Sequence, residues 1–113
     1  MESTPIILDC DPGHDDAMAI LLSVFNPKIE LLGITTVSGN GAIEKVTQNA
    51  LRICALAKTR VPVAKGAGVS ILGQAEASVE IHGETALDGA PLPTPTFDLE
   101  KINHILDIYR YIF

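Results

Sequence analysis

Asp9, Asp11, Asp15 and Asp16 crowd into the run Ile6-Ile7-Leu8-Asp9-Cys10-Asp11-Pro12-Gly13-His14-Asp15-Asp16-Ala17. Carboxylates this close repel one another, so they must share protons or be compensated by a cation or a set of donors. A helix cap uses one carboxylate, not four. The spacing instead suits divided labour. Two acids can hold a hard cation such as calcium, which takes about 6–8 oxygens. One can orient or deprotonate a water, and another can hydrogen-bond a substrate hydroxyl. Pro12-Gly13 supplies the tight turn that brings the acids on either side of it together.

The elements around this cluster must position it. Pro5 to Asp11 reads as a first strand whose continuous apolar run, Ile6-Ile7-Leu8, is expected to be covered on both faces. Alternation along the strand sends Asp9 and Asp11 to one side. Asp15 to Phe25 reads as a helix that Asp15 and Asp16 would cap, where the macrodipole favours acids. Ile29 to Val37 is a second strand running into the turn Ser38-Gly39-Asn40-Gly41. Ile43 to Lys58 is a second helix, with Ile43, Val46, Ala50, Ile53, Cys54 and Ala57 forming one apolar face. Val61 to Ala64 is a short third strand, and Gly66 to Gly73 a loop with some strand character. Gln74 to Thr96 carries Gly83, Gly89, Pro91, Pro93 and Pro95 and reads as a long loop, a length uncommon without function. Asp98 then caps a last helix with a wide apolar stripe.

The β-α-β-α-β alternation predicts an α/β fold, a mostly parallel sheet built from Rossmann-like βαβ units. Ligands of such sheets bind at the carboxyl ends of the strands. The aspartates and Ser38-Gly39-Asn40 both fall at that edge.

The composition narrows the function classes. The chain has 113 residues, 47% of them apolar, which suits one small domain with its own core. Its net charge of −6 argues against a sequence-independent grip on nucleic acid or anionic lipid. No apolar run reaches the roughly 20 residues that span a bilayer, and the start shows no secretory signal. Cys10 and Cys54 have no zinc-ligand spacing and read as reduced core thiols, which fits a cytoplasmic setting.

Three segments together resemble the inosine–uridine-type nucleoside hydrolases. Ile6 to Leu22 is similar to that family's amino-terminal signature. Leu32-Gly33-Ile34-Thr35-Thr36-Val37-Ser38-Gly39-Asn40 is similar to its second strand and asparagine. Ile81-His82-Gly83-Glu84-Thr85-Ala86-Leu87-Asp88-Gly89 is similar to its active-site loop. The resemblance implies calcium-dependent hydrolysis of the N-glycosidic bond of a ribonucleoside, as in purine or pyrimidine salvage. By matched position, Asp11 would be the general base that activates the attacking water and also a calcium ligand. Asp16 would be a second calcium ligand. Asp15 and Asn40 would bind the ribose, His82 would sit on the loop covering the site, and Asp9 would support the cluster from behind. Taken singly, Asn40 and His82 carry little weight: asparagine is common in tight turns, and a histidine before glycine is usually solvated.

Proteins of that family are roughly two to three times longer. The resemblance therefore makes residues 1–113 the amino-terminal part of a single nucleoside hydrolase-like α/β domain. A further calcium-ligating carboxylate and the base-facing groups would lie beyond Phe113. A homo-oligomer or a complementing chain is the expected partner. Two other readings stand beside this one. The chain could be a non-catalytic nucleoside-binding or dimerisation fragment. It could also be a haloacid dehalogenase-type phosphatase, in which Asp9 would be the nucleophile and Asp11 the acid, although Pro12-Gly13 and two further acids depart from that pattern.

Overall fold

A computed structural model of the chain describes residues 2–70 and 72–74. The β-branched and aliphatic runs become three strands: β1 (Thr4–Cys10), β2 (Ile29–Thr36) and β3 (Val63–Lys65). They form a parallel sheet in the order β1-β2-β3. Helix α1 (His14–Phe25) connects the first pair and α2 (Ile43–Leu56) the second. Both connections are therefore βαβ units, as the alternation predicts. A two-stranded antiparallel hairpin, β4 (Val69–Ser70) and β5 (Gly73–Gln74), follows where the sequence suggests a loop with strand character.

The two helices pack against one another as well as against β2, so they share one face of the sheet. Beneath them lies an apolar cluster in which Cys10, Ile34 and Val63 from the strands meet Ala17 and Ile20 of α1 and Ala50, Ile53 and Cys54 of α2. Ile20 and Ile34 are fully buried. Burying each contributes about 1.5–3 kcal/mol over leaving it in water. The apolar face expected of α2 is buried in full, from Ile43 to Ala57.

Several local expectations are corrected. Among the described residues only one face of β1 is covered: Pro5, Ile7 and Asp9 are exposed while Cys10 is buried, because both helices lie on the Cys10 side. β1 ends at Cys10, which leaves Asp11 just outside the strand. β3 begins two residues later than expected, at Val63. Pro62 precedes it, lacking an N–H but accepting one from Ile34 through its carbonyl at 2.9 Å. α2 stops at Leu56, since Lys58 takes a left-handed conformation with φ 55° that ends the helix. Gln74 closes β5; the rest of the long stretch to Thr96 and the helix after Asp98 lie outside the described residues.

The β1–β2 register shifts between Ile6 and Ile7, so that Ile6 faces Leu31 but Ile7 faces Gly33. Leu32 is thus the extra residue of a bulge. The shift sets Asp9 opposite Thr35 and Cys10 opposite Thr36 at the carboxyl end. Val37 N–H then donates to the Cys10 carbonyl at 3.0 Å, carrying the ladder to the last residue before the turn.

Candidate active site

The chain leaves β1 and β2 at the same sheet edge, and the two exits are tied together through Asp11. Its Oδ2 accepts the Asn40 backbone N–H at 2.9 Å. Its main-chain carbonyl accepts the Asn40 Nδ2 at 2.9 Å. Gly39 permits this approach, since a Cβ there would collide with Asp11 Oδ2. On the other side, the Asp11 N–H donates to Asp16 Oδ2 at 2.9 Å. One residue thus receives the loop after β2 and the first turn of α1.

Asp16 reaches back in this way because α1 starts earlier than the sequence suggests. The N-cap is Gly13, with no side-chain cap bond, and Asp15 and Asp16 lie within the first turn. They are therefore not the caps. Asp16 satisfies the backbone N–H of the strand exit instead of one at the head of its own helix. Asp9 stands to the side, its Oδ1 accepting the Thr35 hydroxyl at 2.7 Å. Asp15 is exposed.

The electrostatics follow from this crowding. Burial, together with the hydrogen-bonded Asp11 carboxyl, pushes the Asp16 carboxyl above its usual range, and the nearby charges of Asp15 and Asp11 add to the rise. The Asp11 N–H opposes the shift without cancelling it. Cys10 is pushed up to about 12, first by burial and then by the charges of Asp16, Asp9 and Asp11. Cys10 is therefore a neutral thiol at the base of the acidic cluster, not a nucleophile.

Asp11 and Asp16 fit a hard divalent cation in kind, since both offer carboxylate oxygens. They fall short in number. Among the described residues no three His, Cys, Asp or Glu side chains gather closely enough to hold a metal.

Of the residues singled out from sequence, Asp11, Asp16 and Asn40 are brought into direct contact, and Asp9 and Asp15 flank them. His82 lies outside the described residues. Sequence reasoning missed Thr35 and Asn49. Asn49 is buried, 2% exposed, and its Nδ2 donates to the Pro12 carbonyl at 3.2 Å. Its signal was a polar side chain in the apolar stripe between Val46 and Ile53. Thr35 carries no such mark in a β-branched strand.

The sequence matches the family model described as inosine-uridine preferring nucleoside hydrolase over residues 6–112. The chain belongs to this family. It is 44% identical over 104 residues to a pyrimidine-specific ribonucleoside hydrolase RihA of Shewanella sp. (strain MR-7), covering 91% of this chain and 33% of the relative. It is 44% identical over 110 residues to a pyrimidine-specific ribonucleoside hydrolase RihB of Escherichia coli O1:K1 / APEC, covering 95% and 35%. Among solved structures it resembles a purine-preferring ribonucleoside hydrolase from Gardnerella vaginalis with a TM-score of 0.80 and 32% identity, over 88% of this chain and 33% of that one. The chain thus spans about a third of the length of the nucleoside hydrolases it matches. The expected nucleoside hydrolase-like α/β architecture is the one observed. Among the described residues no helix is long and apolar enough to cross a membrane.

Proposed function

We propose that this chain supplies the ribose- and metal-facing part of a calcium-dependent ribonucleoside hydrolase, and that residues 1–113 are the amino-terminal part of one α/β domain. The observation that carries the reading is Asp11 held between Asn40 and Asp16 at the carboxyl edge of the sheet. Membership of the nucleoside hydrolase family supports it, as do relatives named for ribonucleoside hydrolysis.

In this reading Asp11 and Asp16 hold calcium, with further ligands coming from outside this sequence. When bound, the ion supplies positive charge that lowers the pKa of the attacking water and quenches the repulsion between the two carboxylates. Asp11 is the general base. Its carboxylate, oriented by the Asn40 N–H on Oδ2, takes the proton as the water oxygen bonds to C1′. The C1′–N bond breaks, and its electron pair leaves with the base. The ribosyl group carries oxocarbenium-like positive charge at that point, which the surrounding carboxylates stabilise. Asp15 and Asn40 hold the ribose hydroxyls, Asp9 braces the cluster through Thr35, and His82 is a further substrate-binding residue. The same groups recognise the sugar of any ribonucleoside, purine or pyrimidine. Two free, buried cysteines fit a reducing cytoplasm.

The test is ribose release. The protein incubated with calcium and inosine or uridine should yield free ribose, and Asp11→Ala should abolish it. Nucleoside binding without ribose release would favour a non-catalytic binding fragment instead.

A further inference from the structure

The three consecutive carbonyls of the turn between β1 and α1 have three different partners. The Asp11 carbonyl takes the Asn40 Nδ2 at 2.9 Å. The Pro12 carbonyl takes the Asn49 Nδ2 at 3.2 Å. The Gly13 carbonyl takes the Ala17 N–H at 3.0 Å, the first bond of α1. Pro12 has no N–H, so its carbonyl is its only backbone hydrogen-bonding group. Pro12 is also among the fully buried side chains, so water is a poor substitute for a lost partner. Asn49 belongs to α2, which is anchored independently. Thr47 Oγ1 donates to the Ile43 carbonyl at 2.6 Å. Thr47 Oγ1 also hydrogen-bonds Thr36 Oγ1 at 2.7 Å. This relay fastens α2 to the end of β2, one residue before Val37.

We propose that Asn49 is a positioning residue for the acidic cluster. By holding the middle carbonyl of the turn it fixes the peptide planes between Asp11 and the start of α1. The Asp11 N–H and Asp16 Oδ2 thereby stay within hydrogen-bonding distance, although that bond does not involve Asn49. The consequence for catalysis rests on the proposed function; the positioning itself does not.

Amide hydrogen exchange on the whole chain separates the two. In Asn49→Leu, exchange at the Asp11 and Asn40 N–H groups should quicken about tenfold relative to wild type. The Val37 N–H, which donates to the Cys10 carbonyl in the sheet ladder, should keep its rate. Asn49→Ser serves the same comparison if the leucine variant does not fold, and Asn49→Gln, which retains an amide, should recover part of the protection. A variant in which Asp11, Asn40 and Val37 quicken together, or in which none does, would overturn the proposal, since the role would then be general stability or nothing. If no variant folds, Asn49 is a folding residue and the proposal is likewise overturned. With inosine or uridine, Asn49→Leu should lower kcat about tenfold with KM little changed. Absence of ribose release from wild type would sink the proposed activity while the exchange pattern still decided the positioning.

Discussion

Asn40 donates twice to Asp11, from its backbone N–H to Oδ2 and from its Nδ2 to the main-chain carbonyl, both at 2.9 Å. The second bond orients the peptide and the first orients the carboxylate carried by it. Under the proposed function, a general base held at both points loses little freedom when substrate arrives, and such preorganisation is where positioning lowers a barrier.

This clasp can be opened from either side. Asn40→Ala keeps the backbone N–H but loses Nδ2, leaving the Asp11 carbonyl without its donor. Ribose release should fall roughly ten- to hundredfold, from about 1–3 kcal/mol of lost hydrogen bonding. Gly39→Ala should be at least as damaging although alanine is the smaller change in chemistry, because its Cβ would occupy the place of Asp11 Oδ2. Steady-state kinetics with uridine checks both. Full activity in Gly39→Ala would mean that the Asp11 carboxylate is not needed where it stands.

Ionised Asp16 weakens the fold when no cation is present. Its carboxyl is raised in the folded state, so its contribution to stability is present below the ordinary carboxylate range and is lost as pH rises through the folded-state value. Asp16→Asn removes the charge but keeps an oxygen to accept the Asp11 N–H. In a chelator at pH 7 this variant should melt on the order of a few degrees above wild type. Under the proposed function, millimolar calcium should reverse the order by stabilising wild type alone. Thermal melts with and without calcium test the pair, and a wild-type Tm indifferent to calcium would count against the metal role.

The two thiols set an alkaline limit. Burial raises Cys10 to about 12 and Cys54 to about 11 from an ordinary value of 9.0. A thiol raised in the folded state supports the fold fully below its unfolded value, and that support is lost between there and its folded value. Stability should therefore decline from about pH 9 to about pH 12. Neither cysteine should react with iodoacetamide at pH 8 in the native protein, and both should react in denaturant. Rapid native alkylation of Cys10 would contradict its placement in the core.

How the β1–β2 register forms decides whether Asp9 has a partner. Without the bulge at Leu32, Asp9 would face Ile34 instead of Thr35, and the 2.7 Å bond from the Thr35 hydroxyl would have no donor in place. No pattern in Ile29 to Thr36 announces where the extra residue falls. The same limit applies to Asn49 and Pro12, which meet across 37 positions of sequence.

By itself the sequence determined the element order through β3, the parallel βαβ plan, the buried stripe of α2, and that the aspartates and Ser38-Gly39-Asn40 would fall at one sheet edge. These follow from periodicity and residue chemistry, which are properties of near neighbours in the chain. Only the tertiary structure decided that both helices lie on one side of the sheet, that Gly13 rather than an aspartate heads α1, and that Asn49 holds the turn. Each depends on which distant backbone groups come within hydrogen-bonding reach, and that is set by register and helix placement, to which no local stretch of residues is sensitive.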